Sequence, residues 1–83
     1  MRVHLTGYIY KKVTSGRDCN WITSKEECEE AALQLGLKDT SAGVESVGDW
    51  PPGCYLTLYL YFNSNTASSK ECSSTFKCIC RVS

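Results

Sequence analysis

Six cysteines carry most of the chemistry this chain could do: Cys19, Cys28, Cys54, Cys72, Cys78 and Cys80. A thiolate serves as nucleophile, metal ligand or half of a disulfide, and spacing separates the three uses. Structural zinc is usually held by two separated Cys-x2–4-Cys or Cys/His pairs. Here Cys72, Cys78 and Cys80 cluster, yet no Cys-x2-Cys occurs, and the one histidine, His4, stands at the other end of the chain. A catalytic thiol needs an unpaired cysteine with a base beside it, and all six can pair. An even count in a short chain reads instead as three disulfides, each contributing about 2–4 kcal/mol by restricting the unfolded chain. No metal and no cofactor is expected.

Other catalytic constellations are missing. A lone histidine in a terminal strand is ordinarily an exposed polar residue. Glu26, Glu27, Glu29 and Glu30 lie together on one segment and read as a solvated face, as do Arg2, Lys11, Lys12 and Arg17 near the start. Asp39, Glu45 and Asp49 share a loop but lack the alternating acidic pattern of a calcium site. No nucleophile stands with a base, so the chain is not expected to be an enzyme.

The residues best suited to recognition are the tyrosines. In "YLTLYLYF", residues 55–62, a two-residue period puts Leu56, Leu58, Leu60 and Phe62 on one side and Tyr55, Thr57, Tyr59 and Tyr61 on the other. The remaining tyrosines, Tyr8 and Tyr10, fall on the polar side of an earlier alternating run, with Val3, Leu5, Ile9 and Val13 opposite. If the two runs are neighbours, Tyr8, Tyr10, Tyr55, Tyr59 and Tyr61 form one aromatic platform. Tyrosine suits a half-exposed sheet on its own account, but it is also enriched where proteins meet. A protein partner or larger assembly is therefore expected. A glycan stacked on the rings is the alternative, with His4, Thr6, Thr57 and Asn63 as nearby polar groups.

The elements that must position these residues are few. Residues 2–13 alternate as a strand, with Gly7 interrupting. "ITSKEECEEAALQLGL" is a helix over about residues 24–35: Thr23 or Ser24 caps it, each with a glutamate three residues on. Cys28, Ala31, Ala32 and Leu35 form its inward stripe, and Gly36 ends it as a left-handed cap on which Leu37 closes back. A polar connection follows, stiffened at its end by Trp50-Pro51-Pro52-Gly53. A second polar loop leads to "TFKCICRVS", with Phe76, Cys78 and Cys80 on one side and Lys77, Ile79 and Arg81 on the other. Cys78 and Cys80 then both look into the core. Of fifteen connectivities, the expected one joins Cys28–Cys78, Cys19–Cys80 and Cys54–Cys72.

Eighty-three residues make one domain, a strand arm at 1–14 and a disulfide core at 15–83. The fold class is α+β: one α-helix packed on a short antiparallel sheet and stapled by disulfides. Net charge is zero, which argues against nucleic acid as a partner. No stretch has the ~18–20 apolar residues of a membrane span. Disulfides imply an oxidising compartment, extracellular or an organelle lumen. The opening residues are too polar for a signal peptide, so a mature portion or a piece of a longer precursor is expected.

The order of "ITSKEECEEAALQLGLKDTSA", "PPGCYL", "LYFN" and "CSSTFKCICR" resembles a small six-cysteine domain of unknown function found in proteins of algae and other protists. The resemblance covers about residues 15–82. It implies a secreted or lumenal disulfide domain, often appended to other modules, and no activity. Since algae have an oxidising thylakoid lumen, it allows an accessory subunit of a photosynthetic membrane complex beside an extracellular module. The segment between Cys54 and "LYFN" lacks the glycine turn of that pattern. One continuous strand and two arms of a hairpin are both open there.

Overall fold

The computed structural model describes residues 7–82. The chain runs β1 (Ile9–Val13), β2 (Asn20–Trp21), α1 (Lys25–Gln34), β3 (Gly43–Glu45), β4 (Gly53–Leu56), β5 (Leu60–Asn63) and β6 (Lys77–Val82). The fold is α+β, with one helix on a six-stranded sheet ordered β1-β6-β4-β5-β3, and β2 pairing with β6 beyond the end of β4. The expected short antiparallel sheet is thus larger, and it is mixed. β3 runs parallel to β5 because the chain crosses from β3 past one strand position to β4 before the β4–β5 hairpin returns. The first part of the expected strand arm, with Val3, His4, Leu5 and Thr6, lies outside the described residues.

The helix forms where its capping residues put it. Ser24, not Thr23, is the N-cap, its Oγ accepting the Glu27 N–H at 3.1 Å. Gly36, at φ 71°, lets the chain leave in the left-handed conformation, and the Leu37 N–H donates to the Ala32 carbonyl at 3.0 Å. Cys28, Ala31 and Ala32 are fully buried, with Leu35 and Leu37 packed at the edge of the same cluster. Small side chains at these contacts let the helix lie close on Cys54, Leu60, Phe62 and Ile79 of the sheet. The glutamates depart from a uniformly solvated face: Glu27 and Glu30 are buried. Glu27 accepts two hydrogen bonds from Arg81, both 2.6 Å, and one from the Tyr10 hydroxyl at 2.9 Å.

β1 departs from the expected apolar face: the side toward the helix carries Tyr10, and of the expected side Val13 packs on the disulfide cluster while Ile9 does not. Tyr10 is buried against the helix while Ile9 is 60% exposed. A tyrosine can be the inward residue because Glu27 satisfies its hydroxyl. In β6, Cys78, Ile79 and Cys80 are all fully buried. This strand has neighbours on both edges, the helix covers its Ile79 side, and Cys72, Trp21 and Val13 cover its cysteine side.

That geometry decides the disulfides. Cys19–Cys80 forms as expected; the other two pairs are Cys28–Cys54 and Cys72–Cys78, not Cys28–Cys78 and Cys54–Cys72. Cys78 projects from the face away from the helix and cannot meet Cys28. Cys54, opposite Ile79 in the register, faces the helix and does.

"YLTLYLYF" is two strands rather than one. Residues 57–59 turn the chain without glycine, the Thr57 N–H donating to the Tyr59 carbonyl at 3.0 Å. The Tyr59 N–H returns to Thr57 Oγ1 at 3.4 Å, the local side-chain bonding by which threonine competes with a ladder. Leu60 and Phe62 are buried and Leu56 packs beside them, but Leu58, expected in the core, is 87% exposed at the tip.

Candidate binding site

The hairpin register sets Tyr55 directly opposite Tyr61 on the sheet face away from α1. Their rings stack, with centroids 5.4 Å apart and planes at 23°. Gly43 lies opposite Tyr61 on β3, where a Cβ would stand 3.3 Å from the Tyr61 ring, so the bare backbone leaves room for it. Phe76, just before β6, meets Tyr55 edge-on at 6.0 Å, and Trp50 lies over Phe76 at 4.8 Å. These rings, with Glu45 at the end of β3 and Thr57 at the start of the turn, enclose a recess of about 230 Å³.

Trp50 belongs to an irregular loop, and two buried side chains hold that loop. The Asn63 carboxamide donates to the Val47, Trp50 and Pro51 carbonyls at 2.8–3.1 Å, and its oxygen accepts the Val47 N–H at 3.0 Å. The Ser68 hydroxyl bonds to the Gly48 and Trp50 carbonyls. Phe76 is fixed by its own turn: its N–H donates to Ser73 Oγ at 3.0 Å, and its carbonyl accepts the Ser73 N–H at 2.9 Å.

The Tyr55 hydroxyl donates to Glu45 Oε2. Burial, then the hydrogen bond and negative charge of Glu45, push the phenol far above its ordinary value, so it stays protonated and remains a donor. Among the described residues, no lysine or arginine pairs with Glu45. A cation does approach the ring cluster from outside the recess: the Lys70 ammonium is 5.6 Å from the Phe76 centroid.

Of the five expected tyrosines, the structure gathers Tyr55 and Tyr61 in this recess and puts Tyr59 on the adjoining tip, 61% exposed. Tyr8 and Tyr10 do not join them. Both lie toward the helix, Tyr10 on Glu27 and Tyr8 beneath the Arg81 guanidinium at 4.3 Å. The single platform is therefore split, because β1 turns its tyrosine side to the helix while the hairpin turns its own away. Glu45, Trp50 and Phe76 escape sequence reasoning; the one hint was an aromatic residue set rigidly before Pro51-Pro52 in a polar loop.

Two other hollows differ in character. One, of about 690 Å³, is an open polar trough along Gly48, Asp49, Lys70 and Glu71; the other, of about 170 Å³, is apolar and lies between Trp21, Pro52 and Phe62. Neither brings several rings together around a carboxylate. Among the described residues no group of three or more His, Cys, Asp or Glu side chains gathers as a metal site, and no helix is long and apolar enough to cross a membrane. No family model, curated protein or solved structure matches the chain.

Proposed function

We propose that this chain is a non-catalytic binding or assembly module whose partner is another protein. One observation carries this. Leu58 and Tyr59 stand 87% and 61% exposed on the hairpin tip, and Thr57 joins that tip to the aromatic recess. An exposed apolar pair beside a ring-lined hollow has the anatomy of an interface core, a protruding anchor next to a pocket for the partner's own anchor. The three disulfides are compatible with work in an oxidising compartment, and we assign the module to an extracellular or lumenal assembly.

The tip makes the test clean, because it contributes little to the core. Tagged protein carrying Leu58→Ser and Tyr59→Ser should keep the wild-type near-ultraviolet circular dichroism and melting temperature. It should lose the stoichiometric partner that wild type retains on purification from the native source. Retention of that partner by the folded double variant would sink the assignment.

A further inference from the structure

We propose that the recess receives a methylated ammonium group, presented on a lysine side chain of the protein partner. This rests on the reading of the chain as a protein-binding module. Four rings from four separate segments, Trp50, Tyr55, Tyr61 and Phe76, line one hollow together with a carboxylate. Aromatic faces carry negative quadrupole potential and attract cations within about 6 Å of a centroid, most strongly where water is excluded. The Lys70 ammonium, on the side of the neighbouring trough and outside the recess, already lies within that range of the Phe76 ring, at 5.6 Å from its centroid.

Glu45 gives the hollow its net sign. Oε2 is taken by the Tyr55 hydroxyl, and among the described residues no lysine or arginine neutralises the group. A half-buried carboxylate without a counter-charge favours a cationic occupant over a neutral one. The hydrogen-bonding capacity of the recess then selects among cations. A free ammonium has three N–H donors to satisfy, and a guanidinium five. The lining's acceptors are the remaining Glu45 oxygen and the Tyr61 and Tyr55 hydroxyls, since Thr57 Oγ1 is already turned to the Tyr59 backbone. These are too few and too spread to satisfy every N–H of an ammonium or guanidinium. A trimethylated nitrogen has no donors left to satisfy, and its methyl groups pack on ring faces.

Size points the same way. At about 230 Å³ the hollow falls below the ~300–1,000 Å³ of sites that enclose a drug-sized ligand, so it suits one headgroup or side chain. The exposed Leu58 and Tyr59 beside it favour a peptide as the carrier, because they offer further contacts to the residues flanking such a lysine.

The test is a titration followed by amide and indole NMR of the intact protein. Tetramethylammonium chloride should shift the Trp50 indole and the amides around Tyr61 and Phe76, with sodium chloride at equal ionic strength as the blank. A short peptide bearing trimethyllysine should shift the same signals at lower concentration, and the unmethylated peptide should be about five- to tenfold weaker. Glu45→Gln, which keeps an acceptor for the Tyr55 hydroxyl, should weaken tetramethylammonium by a similar factor. Trp50→Leu, on a loop anchored through other side chains, should abolish the shifts of the amides around Tyr61 and Phe76 if Glu45→Gln proves unfolded.

Equal binding of 3,3-dimethylbutanol, the uncharged isostere of choline, would overturn the proposal. So would shifts confined to other surfaces, or shifts of the recess signals by a soluble oligosaccharide with no response to the ammonium. Binding to phosphatidylcholine vesicles without response to the trimethyllysine peptide would refute the lysine as carrier. Loss of the native partner in the tip variant, with no ammonium response in wild type, would remove this inference and leave the protein-binding assignment standing.

Discussion

Glu27 occupies a place where a carboxylate stays charged only if other groups hold it so. Burial alone would raise its proton affinity. Hydrogen bonds from Arg81 and Tyr10 and the positive charge of Arg81 outweigh that penalty, and the net direction is down from the usual 4.5. A folded-state value below the unfolded one contributes stability that is fully present above the unfolded value and lost as pH falls through the folded one. Glu27→Gln should therefore be less stable than wild type in urea at neutral pH, and the gap should narrow below about pH 4.5. A gap that stays constant down to strongly acid pH would mean the carboxylate charge contributes nothing. Arg81→Ala should cost about 2–3 kcal/mol, less than the ~3–5 of a fully buried pair, because 25% of the Arg81 side chain remains in water. In the sequence Glu27 looks like Glu26 beside it. Only its turn on the helix sets it against Arg81, fifty-four positions away.

At the scale of elements, the β4–β5 hairpin explains why identical residues two positions apart differ so much. Leu58 and Leu60 share one side of an uninterrupted alternation, yet the turn at 57–59 sends one to solvent and the other into the core. Leu60→Ala should destabilise by about 2–5 kcal/mol, the cost of a cavity under the helix. Leu58→Ser should change stability by less than about 0.5 kcal/mol. Denaturant midpoints of the two variants decide the matter, and similar losses from both would contradict the hairpin. The incoming end of β5 is also fastened from outside. Asp39 accepts the N–H groups of Leu60 and Ser41, each at 3.0 Å, and these bonds hold its carboxyl below the usual carboxylate range. That tie joins the connection after the helix to the return strand, and so helps set the direction from which β3 and Glu45 approach the recess.

For the whole molecule, the staples act at three different ranges. Cys19–Cys80 spans 61 residues, Cys28–Cys54 spans 26 and Cys72–Cys78 only 6. In the chain-entropy view, closing the longest loop contributes about 4 kcal/mol and the shortest about 2. Paired Cys→Ser replacement should accordingly cost more at Cys19 and Cys80 than at Cys72 and Cys78, measured by guanidinium unfolding. The reverse order would show that local packing of the 72–78 loop, and not chain entropy, dominates. That loop contains Phe76, so loss of its disulfide should also loosen the recess, visible as a change in the Trp50 indole signal. The covalent frame thus reaches the candidate site through its smallest ring.

Local chemistry was enough to determine several features from the sequence alone. The helix, its start at Thr23 or Ser24 and its end at Gly36 follow from capping residues and the small inward stripe, all of which act within one or two turns; the structure makes Ser24 the N-cap. Full use of the cysteines in disulfides, and an α+β class, follow from count, spacing and periodicity. Which cysteines pair, which side of β1 faces in, and which rings meet depend on contacts between residues far apart in the chain. Alternation says that two faces differ and not which one is covered, because a tyrosine whose hydroxyl finds a carboxylate partner can take the inward place that an isoleucine would otherwise fill. The recess lies beyond local reading for the same reason. Its rings stand at positions 50, 55, 61 and 76, and only the crossover that sets β3 parallel to β5 brings Glu45 among them.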